Sequence, residues 1–261
     1  MPTDQLLYEP GAIARIVFNN PARHNAVSLA MWQATDEAIT AAQADAATRV
    51  LIVTGAGGKA FVSGADISKF ESERASEEAV RTYNETSDRV YSRLHAFPKP
   101  TIAAIQGYCV GGGVALASCC DIRIATEGSR FAIPAAKLGL GYAYKGIRRL
   151  VDVIGPSFTK ELFFTARQFS AADAAMMGLV NRVVPEADFA KYVQEYVETI
   201  AGNAPLTVAQ VKHTVNEVVK DPADRDLATV ERMIAACFAS ADYKEGRTAF
   251  LEKRPAAFKG V

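Results

Sequence analysis

The chain has 261 residues, and its 29 Lys plus Arg balance 29 Asp plus Glu, so it is formally neutral and long enough for one large domain or a domain with an appendage. Without a basic stripe or a long apolar run, it is read as binding neither nucleic acid nor membrane. The first residues carry no basic segment followed by an apolar one, and the four cysteines (Cys109, Cys119, Cys120, Cys237) lack metal spacing, so free thiols in a reducing cytoplasm and no metal site are expected.

In chain order, residues 12–18 read as a short strand before a turn at Asn19-Asn20-Pro21. Ser28 suits the N-cap of a long helix with Leu29, Trp32, Ile39 and Ala42 on its apolar face. Residues 50–54 form a run rich in β-branched residues, typical of a strand covered on both faces. The glycines of Thr54-Gly-Ala-Gly-Gly58 lack the spacing of a dinucleotide fingerprint, and no helix start follows them. The stretch Lys59-Ala-Phe-Val-Ser-Gly-Ala-Asp-Ile67 ends in small residues before Asp66, a good cap. Residues 68–88, rich in Ser, Glu and Arg, read as a mobile loop leading into a helix that ends before Pro98.

Residues 99–121 organise the rest. A short apolar run, 101–105, reads as a buried strand between Pro100 and Gly107. Gly111-Gly112-Gly113 then opens a small-residue run, 114–120, that can form a buried helix. Glycines at a helix start clear Cβ atoms from the place where free N–H groups point outward, which can receive an anionic oxygen; they also simply let a helix pack against a strand. Two such corners, at Ala65 and Gly112, can together make an oxyanion hole.

Beyond them, 121–125 reads as a strand and 131–150 as a Gly- and Ala-rich segment with two tyrosines. Ser170 caps a short helix stopped by Gly178, and 179–184 is a final strand closed by Pro185. Phe189, Tyr192, Val193, Tyr196, Val197 and Ile200 then give the clearest amphipathic helix pattern, followed by helices near 206–219, 225–239 and 243–251. Strand and helix alternating early, with helices alone late, indicate an α/β fold with a helical C-terminal portion.

Phe61-x-Ser-Gly-Ala-Asp-Ile67, then Pro100-x-Ile-Ala-Ala-x-x-Gly107-x-x-x-Gly111-Gly-Gly113 and Cys120-Asp121, resembles the enoyl-CoA hydratase/isomerase (crotonase) superfamily. The likeness runs from Asn20-Pro21 and Asn25-Ala26 to Phe250-Leu-Glu-Lys-Arg254. It implies a spiral of ββα units over residues 1–200 carrying the oxyanion hole. Residues 201–261 would be a helical region for oligomerisation, into a homotrimer or a dimer of trimers, and for covering the active site. The implied substrate is an acyl-CoA thioester, coenzyme A being part of the substrate and no separate cofactor being needed.

By resemblance, the oxyanion donors are Ala65 and Gly112, flanked in the binding face by Asp66, Ile67 and Gly111. Arg23, His24 and Ala26 line the CoA groove, while Phe250 and Lys253 come from the C-terminal helix toward the nucleotide. Two positions depart from the hydrating members of the family, whose catalytic glutamates are replaced here by Ala115 and Ala135. No Asp or Glu occurs from Arg89 through Cys120 or from Gly128 through Val151. Three readings follow. The chain is a hydratase/isomerase-type lyase whose acid and base are displaced, to Tyr142, Lys137 or a loop bearing Glu71 and Glu73. Or it is a decarboxylase of a malonyl-type thioester, using Tyr142 as the methylmalonyl-CoA decarboxylase-like branch uses its tyrosine, a branch that 160–166 and 242–254 also resemble. Or it is a non-catalytic acyl-CoA-binding oligomer.

Overall fold

The computed structural model describes residues 3–66, 69 and 76–261. Its strands are β1 (Leu6–Glu9), β2 (Ile13–Phe18), β3 (Val50–Gly55), β4 (Ala60–Val62), β5 (Thr101–Ile105), β6 (Tyr108–Val110), β7 (Ile122–Thr126), β8 (Arg130–Ala132), β9 (Phe169–Ser170) and β10 (Arg182–Val184). They form two sheets, one in the order β1-β2-β3-β5-β7-β10 and one in the order β4-β6-β8-β9. The first is parallel from β2 onward, with only β1 antiparallel. Each of β3, β5 and β7 is followed within a few residues by a strand of the second sheet, so successive ββ pairs step sideways together. This is the ββα spiral that the resemblance implies.

The helices are α1 (Leu29–Ala44), α2 (Glu77–His95), α3 (Gly112–Ser118), α4 (Ala135–Leu138), α5 (Tyr144–Thr165), α6 (Ala171–Met176), α7 (Phe189–Ala201), α8 (Pro205–Val218), α9 (Leu227–Ala239) and α10 (Ala241–Glu252). β3 is buried on both faces, as its unbroken apolar sequence requires. Leu51 and Val53 join Ile16, Phe61 and Ala103 in the main core. Val50 and Ile52 face Ile102, Ile124 and the α7 stripe of Phe189, Val193 and Val197. Burying each of those stripe side chains contributes about 1.5–3 kcal/mol, which fixes α7 across the sheet. Ser28 and Ser170 cap α1 and α6, accepting from Met31 N and Asp173 N, the latter within a reciprocal capping box.

Three expectations need correction. Residues 77–88 are not loop: they are the first part of α2, capped by Ser76, with Tyr83, Thr86, Val90 and Leu94 buried. That stripe is one residue wide per turn, too thin to show as an apolar run in so polar a segment. The segment 131–150 contains α4 and the start of the long α5, which bends where Gly155 takes φ 71° beside Pro156. The last strand begins only at Arg182, because Leu179 N turns back to Ala174 O at 2.8 Å. No helix among the described residues is long and apolar enough to cross a membrane.

Candidate active site

The site begins with a bridge between two loops. Val27 N donates to Gly64 O at 2.8 Å and Asp66 N to Val27 O at 3.0 Å, pairing Val27 with Ala65 in parallel. In that register the N–H of Ala65 points away from Val27, and among the described residues it finds no acceptor. Upstream, Asn25 is fully buried in a left-handed conformation (φ 55°), its side chain joining Asn20 N, Ala56 O and Ala60 O. It ties the 20–26 turn to the ends of β3 and β4.

The second corner is the start of α3. Gly111 N donates to Ala132 O at 2.8 Å, while Gly112, the first helical residue, has an N–H without an acceptor among the described residues. The glycines here have separate jobs. Gly64 (φ 104°) and Gly111 (φ 55°) hold backbone conformations that favour glycine. A Cβ on Gly113 would fall 2.1 Å from Val62 O, so only glycine lets α3 press against β4. A Cβ on Gly112 would stand 3.7 Å from the Gly64 Cα, and one on Gly64 would stand 3.9 Å from Gly112 N. The Gly64-Ala65 corner and the Gly111-Gly112 corner therefore touch, and the sequence alternatives of close packing and exposed N–H groups both hold.

The wall of this corner is short of side chains. Along α3, Gly113, Val114, Leu116, Ala117 and Ser118 are buried, and Gly112 and Ala115 are the half-exposed positions. Three residues apart, they share one helix face, so Ala115, the position at which the resemblance gives hydrating members a glutamate, brings a methyl group beside the Gly112 corner. Ala135, 5% exposed, opens α4 just after β8.

Two phenols lie nearby. Tyr142 is half-buried, its ring packed edge-on against Phe163 at 4.8 Å, and its hydroxyl has no hydrogen bond among the described residues. Burial pushes its pKa above the ordinary value. Tyr91, from α2, places its hydroxyl 3.4 Å from Gly112 O. Its pKa is held well above 10 by burial and by the neighbouring Tyr83 and Tyr142, with Arg149 opposing. Tyr91 was not among the sequence candidates, since an aromatic residue beside a buried stripe reads as core.

The other expected site residues divide. Arg23 and His24 are exposed and Ala26 is buried, all in the turn that leads into the Val27–Ala65 bridge. Ser63 Oγ donates to Arg23 O at 3.4 Å, and the His24 ring meets Tyr108 edge-on at 5.9 Å. Asp66 is buried beside Ala65. Ile67, Glu71 and Glu73 lie outside the described residues. Lys137 is exposed on α4. Phe250 is 83% exposed on α10, and Lys253 caps that helix at φ 55°. Phe250 borders a cavity of about 650 Å³ with Phe238, Tyr243 and Phe258. The thiols of Cys109, Cys119 and Cys120 are raised by burial, Cys119 to about 11, which leaves them protonated and inert.

Comparison with known proteins shows the family. Residues 9–261 match the enoyl-CoA hydratase/isomerase family. The chain is 36% identical over 253 residues to a crotonyl-CoA hydratase of Syntrophomonas wolfei, covering 97% of this chain and 96% of that one. It is 35% identical over 249 residues to a short-chain-enoyl-CoA hydratase of Clostridium acetobutylicum, covering 95% of each. A crystal structure described as an enoyl-CoA hydratase/carnithine racemase from Magnetospirillum magneticum superposes with a TM-score of 0.94 at 35% identity, over 99% of this chain and 97% of that one.

Proposed function

The chain belongs to the enoyl-CoA hydratase/isomerase family of acyl-CoA enzymes, and we propose that it holds the enolate oxygen of an acyl-CoA thioester between the N–H groups of Ala65 and Gly112. The observation that carries this reading is the pair of N–H groups without an acceptor among the described residues, on corners that touch through Gly64. Each preorganised donor of this kind lowers the barrier to enolate formation by about 3–4 kcal/mol. Arg23, His24 and Ala26, with Asp66, Ile67 and Gly111, flank the bound thioester and its CoA arm. Phe250 is exposed beside the Phe238 and Phe258 cavity, and in this reading it and Lys253 reach CoA from a neighbouring copy in a trimer or a dimer of trimers. The division into a catalytic core, 1–200, and a covering helical region, 201–261, is part of the same proposal, as is coenzyme A entering only as part of the substrate.

Hydration needs a base to activate water and an acid for the α-carbon. Ala115 and Ala135 supply neither, so the reaction proposed is not hydration by a carboxylate pair. A second reading is favoured by the hydroxyl of Tyr142, which has no partner among the described residues, and by the methyl groups that stand at Ala115 and Ala135. A malonyl-type carboxylate is not repelled there, and a poorly solvated site favours its departure as neutral CO2. The Cα–carboxylate bond breaks, its electron pair becomes the enolate held at Ala65 and Gly112, and Cα then takes up a proton.

Mass spectrometry of the protein incubated separately with crotonyl-CoA and methylmalonyl-CoA tests both readings. Slow or absent gain of water on crotonyl-CoA, accelerated in the double variant Ala115→Glu with Ala135→Glu, is the expected result; rapid hydration by the unaltered protein contradicts it. Loss of CO2 from methylmalonyl-CoA that disappears in Tyr142→Phe supports the decarboxylase. A protein that binds acyl-CoA and changes neither thioester, nor any bulkier one, is a binding protein and overturns the enzymatic proposal.

A further inference from the structure

We propose that Tyr91 is the acid that delivers a proton to the α-carbon of the enolate, an assignment that rests on the enolate reading above. The phenol stands over the Gly112 corner: its oxygen lies 3.1 Å from where a Cβ on Gly112 would be, and 3.4 Å from Gly112 O. A contact of 3.4 Å is long for an O–H donor, so the hydroxyl is loosely held and free to turn toward a better acceptor. The same position explains why residue 112 has no side chain, since even a methyl group would crowd the hydroxyl.

The ring, by contrast, is fixed. It packs edge-on against Trp32 at 5.2 Å, Trp32 Nε1 donates to Tyr83 Oη at 3.0 Å, and Tyr83 Oη donates to Val27 O at 3.1 Å. Val27 is the residue bridged to Ala65. One continuous set of contacts therefore places the Tyr91 hydroxyl relative to both proposed oxyanion donors. With methyl groups at Ala115 and Ala135, Tyr91 is the phenol placed against Gly112, whereas that of Tyr142 packs on Phe163.

In the step itself the Tyr91 O–H bond breaks and a Cα–H bond forms, while the enolate electrons return to the thioester carbonyl. The phenolate left behind has the Arg149 guanidinium 6.0 Å above its ring centroid as a stabilising charge, and it recovers its proton from water. Burial keeps the group protonated between turnovers, as an acid must be.

The test is turnover in D2O of crotonyl-CoA and methylmalonyl-CoA by the unaltered protein, Tyr91→Phe and Tyr142→Phe, reading both rate and the configuration of deuterium at Cα. Tyr91→Phe removes one oxygen from a ring that stays packed, and an unchanged unfolding midpoint together with unchanged binding of butyryl-CoA confirms that it folds. The unaltered protein is expected to place deuterium on one face of Cα. Tyr91→Phe is expected to give racemic label, with a rate fall of up to about 100-fold where protonation limits turnover. A merely structural role would slow turnover without scrambling the label. Retained one-sided labelling in Tyr91→Phe overturns the assignment and leaves the enolate reading standing, as does scrambling in Tyr142→Phe alone. If the unaltered protein turns over neither of these thioesters nor any bulkier one, the enolate reading falls and the Tyr91 role with it.

Discussion

Two helix starts in this molecule treat the same backbone groups in opposite ways. At α10 the first three N–H groups are engaged. Ser240 Oγ accepts from Tyr243 N at 3.0 Å, Ala241 N donates to Val261 O at 2.7 Å, and the buried Asp242 carboxylate accepts from Lys259 N and Gly260 N at 2.7 Å each. One turn on, Glu245 accepts from Arg254 and from Ala257 N, binding the last residues back onto the helix. At α3 the cap is Gly111, which has no side chain, and Gly112 N finds no protein acceptor among the described residues. Leaving such a donor unpaired is costly where water is scarce, on the order of 1–3 kcal/mol. The α10 start spends its donors on stability, and the α3 start keeps one in reserve. A site made of backbone also survives side-chain change: Ala115 and Ala135 alter the wall without touching either donor.

The sharpest way to break this contrast is Gly112→Pro. Proline is accepted at the first position of a helix, so α3 can persist while its reserved N–H is removed and its Cβ displaces the Tyr91 hydroxyl, 3.1 Å away. Turnover of any thioester the protein uses is expected to fall about 100- to 1,000-fold in steady-state kinetics. A variant that folds and keeps its rate would mean that Gly112 N is not a donor in the reaction.

A smaller effect is expected at the engaged helix. Glu245 is held at about 2, below its ordinary 4.5, first by the Arg254 guanidinium and then by Ala257 N. A carboxyl group depressed in the folded state contributes stability above pH 4.5, and loses it as the pH falls from about 4.5 toward about 2. The thermal midpoint of the unaltered protein is expected to drop across that window more steeply than that of Glu245→Gln. Parallel pH profiles would show that this clasp contributes nothing, and the contrast between the two helix starts would lose its structural half.

Much of the frame was legible because local chemistry decides it. The β5 strand, Thr101–Ile105, has the bounds its apolar run between Pro100 and Gly107 suggests. The serine caps and the α7 stripe were equally plain. The second sheet was hidden, since β4, β6 and β8 have three residues each and β9 two, too few for an alternation to register. The glycine corner could be read as a candidate, but not the contact of Gly64 with Gly112 that joins its halves. Neither could the path from Val27 through Tyr83 and Trp32 to Tyr91, which runs between residues far apart in the chain. At the other end, Phe250 and Lys253 carry family-like identities, and Phe250 lies exposed beside a cavity it shares with Phe238 and Phe258. A resemblance transfers residue types, whereas their positions depend on what the helices pack against.

The central claim concerns where one oxygen sits, and a crystal structure with butyryl-CoA bound tests it directly. The thioester oxygen is expected within about 2.7–3.1 Å of both Ala65 N and Gly112 N, with the Tyr91 hydroxyl facing the α-carbon. A thioester bound with its oxygen on any other group, or an acyl chain lodged instead in the cavity beside Phe238 and Phe250, would contradict the account.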